Sequence, residues 1–167
     1  MRKINSTASG FALIDIVIYI ALFAVLIGGV SVSVYSLFIS TNQNQTSTMV
    51  LEEGNFLLAK ISWVISQAET ITTPYQNASS TILLITPHDL SLGNSILIQI
   101  QNKNMTLRRK NVTNILSNSN IEVSNVVFTH LTSGNIESIE SSFTLTSRAP
   151  NGTLITSNFS TINFLHQ

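Results

Sequence analysis

No cysteine occurs among the 167 residues. That excludes a disulfide framework, a thiolate metal site and a cysteine nucleophile. A domain built from this chain is held by its own core or by its neighbours. Charge is also scarce: Asp, Glu, Lys and Arg make up 10% of the residues and their formal sum is zero, so the basic balance typical of nucleic-acid binders is missing. The three histidines, His88, His130 and His166, are far apart and lack the spacing of metal ligands. Serine and aspartate are available, but no nucleophile elbow or Ser–His–Asp context surrounds them. With only three prolines, breaks in the chain are few and each carries weight.

What is present is apolar, and unevenly placed. Hydrophobic residues are 44% of the chain, and many of them fall in residues 14–39. A short leader containing Arg2 and Lys3 precedes that run, and a single charge, Asp15, stands near its start. The run exceeds the roughly 20 residues that span a bilayer and the roughly 7–15 of a secretory signal core. It is therefore expected to stay in the membrane, with Arg2 and Lys3 on the cytoplasmic side and everything after Ser40 outside. A carboxylate at such a depth costs at least about 2.5 kcal/mol unless something pairs with it, so Asp15 implies a partner.

The segment Gly10-Phe11-Ala-Leu-Ile-Asp15 resembles the processing motif of type IV pilins and of the pseudopilins of type II secretion and competence systems. The resemblance implies that a prepilin peptidase cuts after Gly10 and methylates the new N-terminal residue, Phe11. It also implies that Asp15 pairs with the N-terminal amine of an adjacent subunit during assembly. The family usually has glutamate where this chain has Asp15, one methylene shorter, and commonly threonine where it has Ala12. Cutting after Gly10 removes Arg2 and Lys3, so the eight basic residues become six against eight acidic ones, a net of −2. The further partners implied are other pilin or pseudopilin subunits and an inner-membrane assembly platform, with nucleic acid only in a DNA-uptake system. No cofactor is implied. The location implied is the cytoplasmic (inner) membrane, crossed once, with an extracytoplasmic filament after assembly.

Gly28 and Gly29 sit within the apolar run. Glycine costs about 0.8–1.0 kcal/mol relative to alanine inside a helix, so the pair is either a stretch that loosens on assembly or a close-packing contact with a neighbouring helix. Residues 40–48 are entirely polar, fit for a solvated helix or a short break. Beyond them Val50, Leu57, Ile61, Val64, Ile65 and Ala68 recur at three- and four-residue steps, the stripe of an amphipathic helix running to about Glu69. Residues 70–80, with Pro74 and the Asn77-to-Ser80 cluster, read as a loop.

The rest reads as β-structure. Residues 81–86 form a short apolar run ended by Pro87. Residues 95–101 and 105–110 flank Asn102-Lys103-Asn104 as a hairpin. Residues 121–131 are extended and close on Ser133-Gly134-Asn135. Residues 136–147, with Ile139, Ser141, Phe143 and Leu145 on one face, join residues 154–164 through Ala149-Pro150-Asn151-Gly152, a turn in which proline presets φ and Asn or Gly accepts a positive one. The expected fold is α+β: a long N-terminal transmembrane or stalk helix, then one small antiparallel sheet carrying the amphipathic helix. That plan agrees with the pilin-like fold, and its order most resembles the J-like minor pseudopilins. The expected organisation is a leader at 1–10, a transmembrane or stalk helix at 11–39, a polar continuation, amphipathic helix and loop at 40–80, and a β-rich extracytoplasmic head at 81–167.

Two clusters remain as candidates for binding. Arg108-Arg109-Lys110 is the one basic run; on a strand, Arg108 and Lys110 face one way and Arg109 the other. It protects an edge strand against aggregation, or it docks an acidic partner or DNA, with Arg148 joining it. Glu52-Glu53 suits the start of a helix, where acids meet the dipole, or calcium. The reading is a non-enzymatic structural subunit, a minor pilin or pseudopilin. The alternative is a single-span anchored module whose exterior part captures a ligand or DNA without polymerising.

Overall fold

The computed structural model describes residues 8–134 and 136–165, the first five of them as backbone only. A single helix, α1, covers Ala8–Ser66. It is followed by nine strands: β1 Ala68–Thr73, β2 Ser79–Ser80, β3 Leu83–Pro87, β4 Ile96–Gln101, β5 Asn104–Arg109, β6 Val112–Ile115, β7 Ile121–Ser133, β8 Ile136–Arg148 and β9 Leu154–Phe164. A 3-10 turn at Leu90–Leu92 lies between β3 and β4. The fold is α+β, one long apolar helix and then antiparallel sheets. By its internal contacts the chain divides between Thr41 and Asn42 into two compact units.

In the first unit α1 stands alone. Its large apolar side chains from Leu13 to Phe38 are all exposed, and the helix is long and apolar enough to cross a membrane. Residues 14–39 at about 1.5 Å per residue reach about 39 Å, against a hydrocarbon core of about 30 Å. The helical backbone continues through the polar residues 40–48, where the sequence had allowed a break.

The second unit holds the core. Val50, Leu57, Ile61, Val64 and Ile65 from α1 are at most 1% exposed, and Ala68 just beyond the helix is buried too. All six residues of the amphipathic stripe thus point inward, though α1 stops at Ser66 rather than near Glu69. Against them pack Leu83 and Ile85 of β3, Ile96 and Ile98 of β4, Met105 of β5, Phe128 of β7, and Ile139, Phe143 and Leu145 of β8. Burying such a side chain contributes about 1.5–3 kcal/mol each.

Two sheets form where one was expected. The first has the order β1-β3-β4-β5-β6 and the second β2-β7-β8-β9, with every recorded pair antiparallel. The stretch read as a loop at 70–80 supplies β1 and β2. Its β-branched run Thr70-Ile71-Thr72-Thr73 pairs with β3, while none of the four side chains is fully buried, which hides the strand from a search for buried alternation.

The turns follow backbone chemistry. Asn102 and Lys103 both take positive φ, 52° and 64°, between β4 and β5, the conformation of a two-residue type I′ hairpin. Lys110 and Asn111 do the same between β5 and β6. At the β8–β9 turn Ala149 N–H donates to the Thr153 carbonyl, Gly152 N–H donates to the Ala149 carbonyl, and Gly152 takes a φ of 86°. Asn135 of the β7–β8 turn lies outside the described residues. Within β7 the register with β8 shifts between Ser124 and Val127, with Asn125 at φ 50°. That bulge moves the buried positions from Ile121 and Val123 to Val126, Phe128 and His130, a change of phase that one extra residue produces.

Candidate functional site

The N-terminal motif occupies the start of α1. The backbone at Gly10 and Phe11 is helical, and the Phe11 side chain lies outside what the structure describes. Asp15 is exposed among Leu13, Ile14, Ile16 and Val17, which are 57–66% exposed. It is the one charged residue between Lys3 and Glu52. The hydroxyls in this unit turn inward: Ser31 Oγ donates to the Ile27 carbonyl at 2.8 Å, Ser33 Oγ to the Gly29 carbonyl at 3.0 Å and Thr41 Oγ1 to the Leu37 carbonyl at 2.9 Å. Back-bonded hydroxyls satisfy themselves in an apolar medium, and they weaken and bend the ladder where they act. Nothing approaches within 4 Å of a Cβ built on Gly28 or Gly29.

The basic run is placed differently from the expectation of an edge. β5 lies between β4 and β6, so Arg108 and Arg109 stand on an interior strand. Lys110 belongs to the β5–β6 turn and leaves the strand alternation. The three line an open cleft of about 360 Å³ together with Gly93, Asn94, Ser95 and Asn111. Among the described residues the ion pairs are Lys103–Glu122 at 2.9 Å and His130–Glu137 at 3.4 Å, so none of the three cations is paired. Arg148 instead donates from Nη1 to the Gly152 carbonyl at 3.0 Å, in the other sheet. Asp89 lies close enough to Lys110 of this cleft to feel its charge. Its carboxylate accepts from the Ser91 hydroxyl and backbone N–H, which holds it below the usual aspartate value, and the nearby Lys110 and His88 pull it the same way.

A third cluster went unread in the sequence. His130, 2% exposed, opens onto a cavity of about 730 Å³ also lined by Glu69, Gln76, His88, Asp89 and Glu137. Its Nδ1 lies 3.1 Å from the Pro74 carbonyl, an oxygen that only accepts, so Nδ1 carries the hydrogen. Nε2 has no hydrogen-bond partner and faces Glu137 Oε2 at 3.4 Å. Gln76 Nε2 donates to the other carboxylate oxygen at 3.2 Å. A proton on Nε2 makes the contact attractive, and its absence sets two acceptors against each other. The available signal was phase: once the bulge at Asn125 is allowed, His130 follows Val126 and Phe128 on the buried face. His166 lies outside the described residues.

Among the described residues no three His, Asp or Glu side chains converge as a metal site. Glu52 and Glu53 lie well inside α1 rather than at a helix start, and Glu53 Oε1 accepts the Asn118 N–H at 2.8 Å. No family model, curated protein or solved structure matches this chain.

Proposed function

We infer that the chain is a minor pilin or pseudopilin, a structural subunit of a type IV pilus-like or type II secretion-like filament. The observation that carries the reading is Asp15. A lone acid stands five residues after Gly10, at the start of the stretch of α1 from Leu13 to Phe38 whose large apolar side chains are exposed among the described residues. In this reading the leader is removed after Gly10, the amine of Phe11 is methylated, and apolar helices of neighbouring subunits bundle. Asp15 then meets a neighbour's amine, which sets the axial stagger and neutralises two charges that are costly in a low dielectric. The partners are a prepilin peptidase, other subunits and a membrane assembly platform. The protein is anchored in the cytoplasmic membrane with the β-rich unit outside.

The experiment has two arms. Intact mass and N-terminal sequence, with and without a prepilin peptidase, should show loss of Met1–Gly10 and a methyl group on Phe11. Asp15→Ala should remove the chain from filaments while Asp15→Glu retains it. An uncut chain beside a correctly processed control substrate would overturn the proposal.

The second reading, a single-span anchored binding module, draws on the unpaired cations of the Arg108–Lys110 cleft. It predicts that Asp15→Ala leaves function intact, whereas reversing the charge of Arg108 and Lys110 abolishes capture of an acidic partner or DNA.

A further inference from the structure

A sheet edge leaves alternate N–H and C=O groups free to pair with any extended segment, and proteins blunt such edges with shortness, bulges, charge or proline. The two sheets here have four edges. β1 carries Glu69 and two register shifts, and Pro74 follows it. β6 is four residues long and β2 only two. β9 carries none of these devices. Its eleven residues include no charge and no proline, and it pairs with β8 without a register shift. On its outer face Leu154, Ile162 and Phe164 are 57%, 54% and 61% exposed.

The free backbone calls for a strand, and the side chains say which one. Phe159 is the midpoint of β9. Laid antiparallel on a second copy with Phe159 opposite Phe159, Leu154 faces Phe164 and Thr156 faces Ile162. Asn158 then faces Ser160. On the outer face apolar groups thus meet at both ends, a threonine methyl and hydroxyl meet an isoleucine next to them, and amide meets hydroxyl in the middle, while on the inner face Ile155 faces Asn163. An uncharged strand brings no like charges together across a two-fold, and a two-fold contact uses one patch twice.

We propose that β9 is a homotypic docking edge, through which two copies of this chain join β9 to β9 in a continuous eight-stranded sheet. The direction of the contact follows from β9's neighbours on α1. Gln43 reaches Thr153, Gly54 lies under Phe159, and Ser66 and Leu165 line the same cavity. β9 therefore runs in the same sense as residues 42–66 of α1. Antiparallel pairing sets those two helical segments in opposite directions. Such a contact is separate from assembly through the N-terminal helix, and it stands whether or not that reading holds.

The test uses the full chain in detergent micelles. Light scattering across a concentration series should show a monomer–dimer equilibrium. Thr156→Lys with Ile162→Lys sets lysines directly opposite one another across the two-fold and should leave a monomer at every concentration. Because the chain has no cysteine, mixing Asn158→Cys and Ser160→Cys chains should give a mixed disulfide. Facing residues of an antiparallel pair lie about 4.5–5.5 Å apart at Cα, within disulfide reach. Thr144→Cys, on the interior strand β8, is the control. A single-chain mass throughout, a dimer that survives the lysines, or crosslinking no faster than the control would overturn the proposal. The crosslinking arm keeps it testable if the lysine variant does not fold.

Discussion

Gly54 shows how a single residue sets a packing distance. It lies inside α1, where glycine costs about 0.8–1.0 kcal/mol relative to alanine, yet a Cβ added there would fall within the ring of Phe159. That ring in turn stacks on Phe143 at a centroid distance of 5.5 Å. Overpacking a fitted core costs about 1–3 kcal/mol, so Gly54→Ala should be net destabilising by up to about 2 kcal/mol despite its better helix propensity, as read by chemical denaturation. An unchanged or raised stability would mean that the ring simply swings aside. Asp89 makes a prediction about pH. Its folded value is depressed by the two Ser91 bonds, so its contribution is complete above the usual aspartate range and disappears as pH falls through the lower folded value. The Ser91 amide resonance should therefore titrate with a midpoint below 3.8, and a midpoint at or above that value would remove the account. Neither residue was singled out in the sequence. Gly54 needs the position of a side chain 105 residues away, and Asp89 differs from any other surface acid only by the turn it caps.

Elements were legible where their period was strong. The buried stripe of α1 and the face Ile139, Ser141, Phe143 and Leu145 of β8 read directly, because burial imposes a period on the chain and these positions keep it. The Asn102-Lys103 hairpin read because its turn residues accept positive φ. β1, β2 and β6 did not: their side chains are largely exposed, and their pairing comes from backbone bonds that leave no pattern of types. The same gap misplaced the Arg108-Arg109-Lys110 run, since an unread β6 makes β5 look like an edge. In β7 the bulge conceals the alternation, and with it His130. That bulge is testable as an element. Deleting Asn125 removes the extra residue, so either Ile121 and Val123 or Val126 and Phe128 must turn to solvent. At about 1.5–3 kcal/mol per side chain the loss should be about 3–6 kcal/mol, whereas Asn125→Gly keeps the backbone conformation and should be nearly neutral. Thermal unfolding of the two variants checks the contrast, and similar melting of both would show that β7 can slip without cost.

At the scale of the whole molecule the two units answer to different solvents. Among the described residues every buried core side chain, from Val50 to Ala149, belongs to the unit Asn42–Gln167, whereas the large apolar side chains of α1 from Leu13 to Phe38 are exposed. Leaving one such side chain in water forgoes about 1.5–3 kcal/mol relative to burying it. Residues 13–38 carry these side chains on every face of the helix, so the first unit needs lipid, detergent or neighbouring helices. The second unit holds the core and both sheets within its own residues, which predicts that it folds without them. Residues 42–167 expressed alone should be soluble without detergent, keep their β-rich circular dichroism, and unfold at the same midpoint as that unit does within the full chain in micelles. The full chain should precipitate when detergent is withdrawn. A fragment that fails to fold would show that the first unit supplies part of the core. A full chain that stays dispersed as single molecules in water would show that some other part of the protein covers the helix, and the membrane and filament readings of α1 would both lose their physical basis.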